Sequence, residues 1–185
     1  MNLAAEALRL NARYVEEVVI AWDLCPWAAQ SWRRGAVARR VLRQADPAEV
    51  LPVIDELAAS PEVEIGLLIF ARLEIEPAAF DRFAERLRRA LRPPPFLLAA
   101  FHPDLRASAA DAASLVPFIR RTPDPTLQLV RSTLIDGLAR GGRDLSSEIA
   151  GANFATVQAG TPAALDAVIR DIHRDRDRAY GARGR

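Results

Sequence analysis

Val63-Glu64-Ile65-Gly66-Leu67-Leu68-Ile69-Phe70 is apolar almost throughout after Glu64. A short, evenly apolar run of this kind reads as a central strand covered on both faces. On its N-terminal side, Asp46-Pro47 has the form of an N-cap followed by proline at the first helical position. The helix this opens turns Val50, Val53, Ile54 and Leu57 inward and ends near Ser60-Pro61. On the C-terminal side, a helix over residues 77–92 carries Phe80, Phe83, Ala84, Leu87 and Leu91 on one face, with charged residues opposite, until Pro93-Pro94-Pro95 stops it. Beyond the two helices lie further strands, over residues 36–43 and Phe96–Phe101. This β-α-β-α-β order, with connections long enough for crossovers, predicts an α/β domain with a small, mainly parallel sheet of three to four strands flanked by helices.

The outer segments extend that frame. Residues 3–23 read as a helix with Leu8, Ala12, Val15, Val19 and Trp22 on one face. It stops at Leu24-Cys25-Pro26-Trp27, where proline forbids smooth continuation. After His102 an irregular alanine-rich piece covers residues 106–113. Thr122-Pro123-Asp124-Pro125 is expected to open a helix that carries Leu127, Val130, Leu134 and Leu138 and closes at Gly141-Gly142. A weaker helix over 144–151, an edge strand over 154–158, and a final helix capped by Thr161-Pro162 give the chain a helical C-terminal part. In that last helix Leu165, Val168, Ile169 and Ile172 face inward. The expected organisation is one domain over residues 1–173 and a disordered tail over 174–185, where charges alternate.

Composition narrows the function. The chain has 185 residues, a formal net charge of +1 and half its residues hydrophobic, which gives no basic excess to call for nucleic acid. No apolar run approaches bilayer length and no basic-then-hydrophobic leader is present, so no membrane partner is expected. A single cysteine excludes an internal disulfide and makes a cytoplasmic location the expectation. All 25 basic residues are arginine, which excludes a phosphate-loop lysine, a Schiff-base lysine and pyridoxal phosphate attachment. One cysteine and two histidines, without ligand spacing, imply no metal site, and no cofactor is called for. A lone Cys-Pro is too common a pair to imply haem.

Two stretches carry chemistry. His102, followed by proline, ends the Phe96–Phe101 strand, and Arg72 ends the central one. Ligands in open parallel sheets sit at that carboxyl edge. The imidazole could serve as general base or anion ligand, or be hydrogen-bonded there for structural reasons. Cys25 lies beside all three tryptophans, Trp22, Trp27 and Trp32. It is either a nucleophile activated by a neighbouring base or arginine, or a buried thiol behaving as a small apolar side chain. Arg121 precedes Gln128, Arg131 and Ser132, spaced to share one face of the expected helix, and guanidinium groups near a helix start suit a carboxylate or phosphate. A solvated arginine face is the alternative.

These motifs occur together elsewhere. Val19-Ile20 running into Leu24-Cys25-Pro26-Trp27-Ala28 resembles an uncharacterised bacterial family in which an aliphatic helix enters Leu-Cys-Pro-Phe-Ala. The family's Ser-Phe-His-Pro is similar to Ala100-Phe101-His102-Pro103, and its Asn-Arg-Ser-Pro-Tyr-Pro to Arg120-Arg121-Thr122-Pro123-Asp124-Pro125. Its His-Leu-Leu-Arg falls at Gln128-Leu129-Val130-Arg131. Over residues 10–140 the chain resembles the domain-of-unknown-function family numbered fourteen-fifteen, a resemblance that implies a site map and no activity. The chain departs from the pattern at Arg120, where the family has Asn, and at Gln128, where it has His. The family's polar set between His102 and Arg121 is replaced by Leu105, Ala107, Ala109-Ala110 and Ala113.

Two functions are consistent with these residues. The chain could be a small enzyme on an anionic metabolite, with His102 and Cys25 catalytic and Arg121, Arg131, Gln128 and Arg72 binding substrate. The enzyme is the reading favoured here; the alternative is a non-catalytic ligand-binding or interaction module, a degenerate family member using the same pocket.

Overall fold

The computed structural model describes residues 2–139 and 145–181. Strand β2, Ile65–Phe70, is buried at every position, as its composition requires. Its side chains alternate between two cores. Leu68 and Phe70 pack with Val50, Ile54 and Leu57 of α3 (Pro47–Ala59) and with Phe80, Phe83 and Leu87 of α4 (Pro77–Ala90). Ile65, Leu67 and Ile69 pack on the opposite face, against the N-terminal helix α1 (Leu3–Tyr14) and the turn after it. Phe70 meets Phe80 and Phe83 edge to face at 5.4 and 5.8 Å. Gly66 allows the close approach of α3: a Cβ there would lie 2.9 Å from Leu129 Cδ1 and 3.1 Å from Leu57 Cδ1. Asp46 caps α3 as expected, its carboxylate accepting from Ala48 N at 3.0 Å.

The sheet has the order β1 (Val37–Leu42), β2, β4 (Thr126–Arg131), β3 (Phe96–Phe101). β1 pairs parallel with β2, while β4 runs antiparallel to both β2 and β3. The first three strands therefore share one direction, as the β-α-β-α-β order implies, but β4 separates β2 from β3. The sheet is mixed and mostly antiparallel, which corrects the mainly parallel sheet expected. The cause is local. The helix expected to open at Thr122-Pro123-Asp124-Pro125 is a strand followed by α6, Ser132–Ala139, and its expected close at Gly141-Gly142 lies outside the described residues. Pro123 and Pro125 disfavour the helical conformation in the residues before them. Leu127 and Leu129, two apart, then enter the α3/α4 core fully buried.

Other elements also depart from expectation. The N-terminal helix passes into a π-helical segment, Val15–Ile20, and its buried stripe is Ala7, Leu10, Asn11, Tyr14 and Val18 instead of Leu8, Ala12 and Val19. After α2 (Ala28–Arg33) and α5 (Ala112–Ile119), α7 (Leu145–Ala159) is one continuous helix through the expected edge strand at 154–158. α8 runs over Pro162–Tyr180, through most of the segment expected to be disordered, and residues 182–185 lie outside the described residues. Helix α8 is anchored by charge. Asp175 accepts from Arg9 at 2.7 Å and Arg13 at 2.6 Å, while Asp124 accepts from Arg176 at 3.3 Å and the Tyr180 hydroxyl at 3.0 Å. Helices α5, α7 and α8 share a core with Tyr14 and Val18, so the helical part is continuous with the sheet domain. Among the described residues no helix is long and apolar enough to cross a membrane.

Candidate functional site

The π-helical segment prepares the site. Its widened turn is closed by bonds five residues apart, Ala21 N to Glu16 O at 3.1 Å and Leu24 N to Val19 O at 2.9 Å. Beyond that turn, Leu24-Cys25-Pro26-Trp27 lies over the face of the sheet that carries Phe101, Gln128 and Val130. Together with α5, α7 and strands β3 and β4, this turn encloses a cleft of about 300 Å³. Its walls are mostly apolar, from Val19, Leu24, Trp27, Val116, Ile119 and Ile149.

The polar groups in the walls differ in how they are used. The Tyr14 hydroxyl donates to Ile119 O, and burial pushes its pKa up, so the phenol stays protonated. Asn153 Nδ2 donates to Leu24 O at 3.1 Å and ties α7 to the cysteine turn. Arg120 is different. Its guanidinium lies 5.4 Å over the Phe101 ring and makes no side-chain hydrogen bond or ion pair among the described residues. Burial pushes its pKa down, against weaker support that includes the Asp81 carboxylate. Gln128 projects from the middle of β4 into the same cleft, and its carboxamide also has no side-chain hydrogen bond among the described residues. Cys25 lines the cleft as a free thiol, and burial pushes its pKa up despite backbone hydrogen bonds from Trp27 and Ala28.

The expected convergence of Cys25, His102, Arg121 and Arg131 does not occur, and only Cys25 of the four lines the cleft. His102 is 2% exposed at the end of β3. Its Nε2–H donates to Ile75 O at 2.9 Å, and its Nδ1 accepts from Asp104 N at 3.1 Å. Both ring nitrogens thus tie backbone segments together. Arg121 turns away from the cleft. It stacks 4.3 Å over Phe118 and pairs with Asp166 of α8 at 2.6 Å.

Arg131 lies at the opposite end of the sheet. Its strand partner is Phe96, whereas His102 follows Phe101, so the two are separated by about 20 Å along the strand direction. Arg131 donates to Val63 O at 2.6 Å, Ser60 O at 2.7 Å and Leu57 O at 3.0 Å, gathering the carbonyls at the C-terminus of α3. Arg72, at φ 59°, is exposed after β2 and donates its backbone N–H to Asp124 at 3.1 Å. Of the expected site residues, the structure therefore brings together Cys25 and Gln128. The group that joins them, Arg120, stands in the arginine pair read as an anion site, but Arg121 was the member expected to bind. Among the described residues no cluster of three or more His, Cys, Asp or Glu side chains is placed to hold a metal ion.

Of the three comparisons with known proteins, one finds a match. No curated protein and no solved structure matches the chain. A family described as "Protein of unknown function (DUF1415)" matches residues 6–166, a span that holds the whole cleft. The chain belongs to the DUF1415 family.

Proposed function

We propose that the chain binds a small anionic molecule, a carboxylate or phosphate with an apolar body, in the cleft beside Cys25, and that it acts as a binding module. The observation that carries this reading is Arg120. A half-buried guanidinium without an acceptor among the described residues keeps its charge at a desolvation cost, and an anion in the cleft offsets that cost through charge-assisted hydrogen bonds. Gln128 supplies a second polar contact, and the Val19, Trp27 and Ile149 walls take the apolar part. The enzyme reading has less support. Among the described residues no histidine or carboxylate lines the cleft to activate Cys25, and burial raises the thiol's pKa.

A thermal-shift screen of phosphate, benzoate and C4–C6 carboxylates tests the reading on wild type, Arg120→Met and Arg121→Met. At about 100 times Kd a bound acid stabilises the fold by about 2.7 kcal/mol. That stabilisation is expected to disappear in Arg120→Met and survive in Arg121→Met. Equal responses in all three proteins would refute the assignment.

A further inference from the structure

The floor of the cleft is polar at one end and apolar at the other. Phe96, Leu98 and Ala100 enter the α3/α4 core, which leaves Leu97, Ala99 and Phe101 on the cleft side of β3. Phe101 pairs with Thr126 and Leu97 with Val130, so Phe101 and Val130 stand about 13 Å apart along the strands, and both line the cleft. The groups open to a ligand's polar end lie toward Phe101. Arg120 sits 5.4 Å over its ring, and Gln128 occupies the next row, opposite Ala99. The Tyr14 hydroxyl and Asn153 Nδ2 are already engaged, by Ile119 O and Leu24 O. At the Val130 end the floor is apolar and then opens, because Leu97, directly opposite Val130, is 47% exposed. Charge is equally one-sided. Among the described residues Arg120 is the one cationic side chain that lines the cleft, since Arg121 is committed to Asp166. A dianion would carry a second charge into the cleft without a counter-ion.

We propose that the ligand is a linear monocarboxylic acid of medium chain length, its head held at Arg120 and its tail lying over Val130. The inference rests on the reading of Arg120 as the anion anchor and narrows carboxylate or phosphate to an acyl monoanion. Two measures set the length. Carbon–carbon bonds of about 1.5 Å advance an extended chain by roughly 1.3 Å each, so about ten of them span the distance from Phe101 to Val130. A cavity of about 150 Å³ takes the six carbons of benzene, so the cleft of about 300 Å³ takes about twelve non-hydrogen atoms, as many as decanoate has.

Calorimetric titration at about pH 8 tests the assignment with the even-numbered acids from butyrate to dodecanoate, each below its micellar concentration. Octanol, sebacate and decyl phosphate, a dianion at that pH, serve as the mismatched probes. In wild type, affinity should rise roughly fourfold per methylene up to decanoate and level off at dodecanoate, whose end emerges beside Leu97. Octanol should bind at least about tenfold more weakly than octanoate, and sebacate and decyl phosphate at least about tenfold more weakly than decanoate. Arg120→Met should weaken every acid, whereas Val130→Thr should weaken decanoate about fivefold and leave butyrate unchanged. Binding that depends on Arg120 overturns the acyl assignment and leaves the anion site standing if it is flat with chain length or climbs undiminished to dodecanoate. Sebacate or decyl phosphate binding as tightly as decanoate, or decanoate indifferent to Val130→Thr, does the same. Should a variant fail to fold, the wild-type series decides alone, with octanol against octanoate reporting the need for the charge. Acid binding that does not depend on Arg120, or no binding at all, overturns both.

Discussion

Replacing Arg131 should cost stability rather than ligand affinity, and the structure sets the size of the loss. Its guanidinium makes three short hydrogen bonds, to Val63 O, Ser60 O and Leu57 O, and a longer one to Ala58 O at 3.4 Å. It also stacks 4.9 Å over Phe96. Leu57 and Ala58 belong to the last turn of α3, where helix carbonyls lack intrahelical donors and the dipole favours a cation. Charge-assisted bonds contribute about 1.5–3 kcal/mol each, so three would sum to about 5–9 kcal/mol if none were replaced. The side chain is only half-buried, and water can reach part of the freed carbonyls, which brings the expected loss in Arg131→Met to about 3–4 kcal/mol. With a urea m value of about 2 kcal/mol/M, the unfolding midpoint falls by about 1.5–2 M while m stays constant. Arg131→Lys keeps the charge but loses the planar fork, so it should recover about half of the loss. Equilibrium unfolding followed by circular dichroism makes the measurement. A loss below about 1 kcal/mol in Arg131→Met would refute the capping role and return Arg131 to the candidate ligand groups.

Three further outcomes follow from the same geometry. Arg176→Met strands the Asp124 carboxylate, 1% exposed, and should cost about 3–5 kcal/mol, lowering the Tm by about 10 °C; an unchanged Tm would contradict the anchoring of α8. Asp175 is held at a pKa of about 2 by hydrogen bonds from Arg9 and Arg13, against an ordinary 3.8. Its depressed folded-state value means that its stabilisation is complete above about pH 3.8 and is lost as pH falls through about 2. Asp175→Asn should lower wild-type stability at neutral pH and flatten the acid limb over that window; parallel pH curves for the two proteins would contradict it. Cys25 should alkylate slowly with iodoacetamide at pH 7, the rate climbing only above its ordinary pKa of 9.0, because burial raises the thiol; fast labelling at neutral pH would restore the nucleophile reading.

Much of the sheet was legible because its strands announce themselves locally. The Phe96–Phe101 strand ends where its apolar run ends, and β2 is buried on both faces as its composition demands. β4 was not legible in the same way. Thr126–Arg131 is too short for periodicity to separate strand from helix, and Leu127 and Val130 also fit a helical stripe. The two prolines before it were the overlooked signal, since each disfavours helix in its predecessor. At the C-terminus, alternating Arg and Asp suggested a solvated tail. Leu165, Ile169, Ile172, Arg176 and Tyr180 nevertheless continue one buried stripe, whose polar members are satisfied by a distant residue, Asp124.

In the site, Cys25 and Gln128 both line the cleft, Gln128 from a strand instead of the expected helix. Which of two adjacent arginines faces it depends on where α5 ends and where Asp166 lies, and neither is encoded near Arg120-Arg121. His102 could be placed at the strand end from sequence. Its ring partners, Ile75 O and Asp104 N, are set by the loops around it.

A crystal structure of the chain with its best-binding carboxylate tests the central claim most directly. The carboxylate oxygens should lie about 2.7–2.9 Å from the Arg120 guanidinium nitrogens, with the apolar part between Val19 and Trp27 beside Cys25. A carboxylate seated on Arg121 or Arg131 instead, with Arg120 untouched, would contradict it.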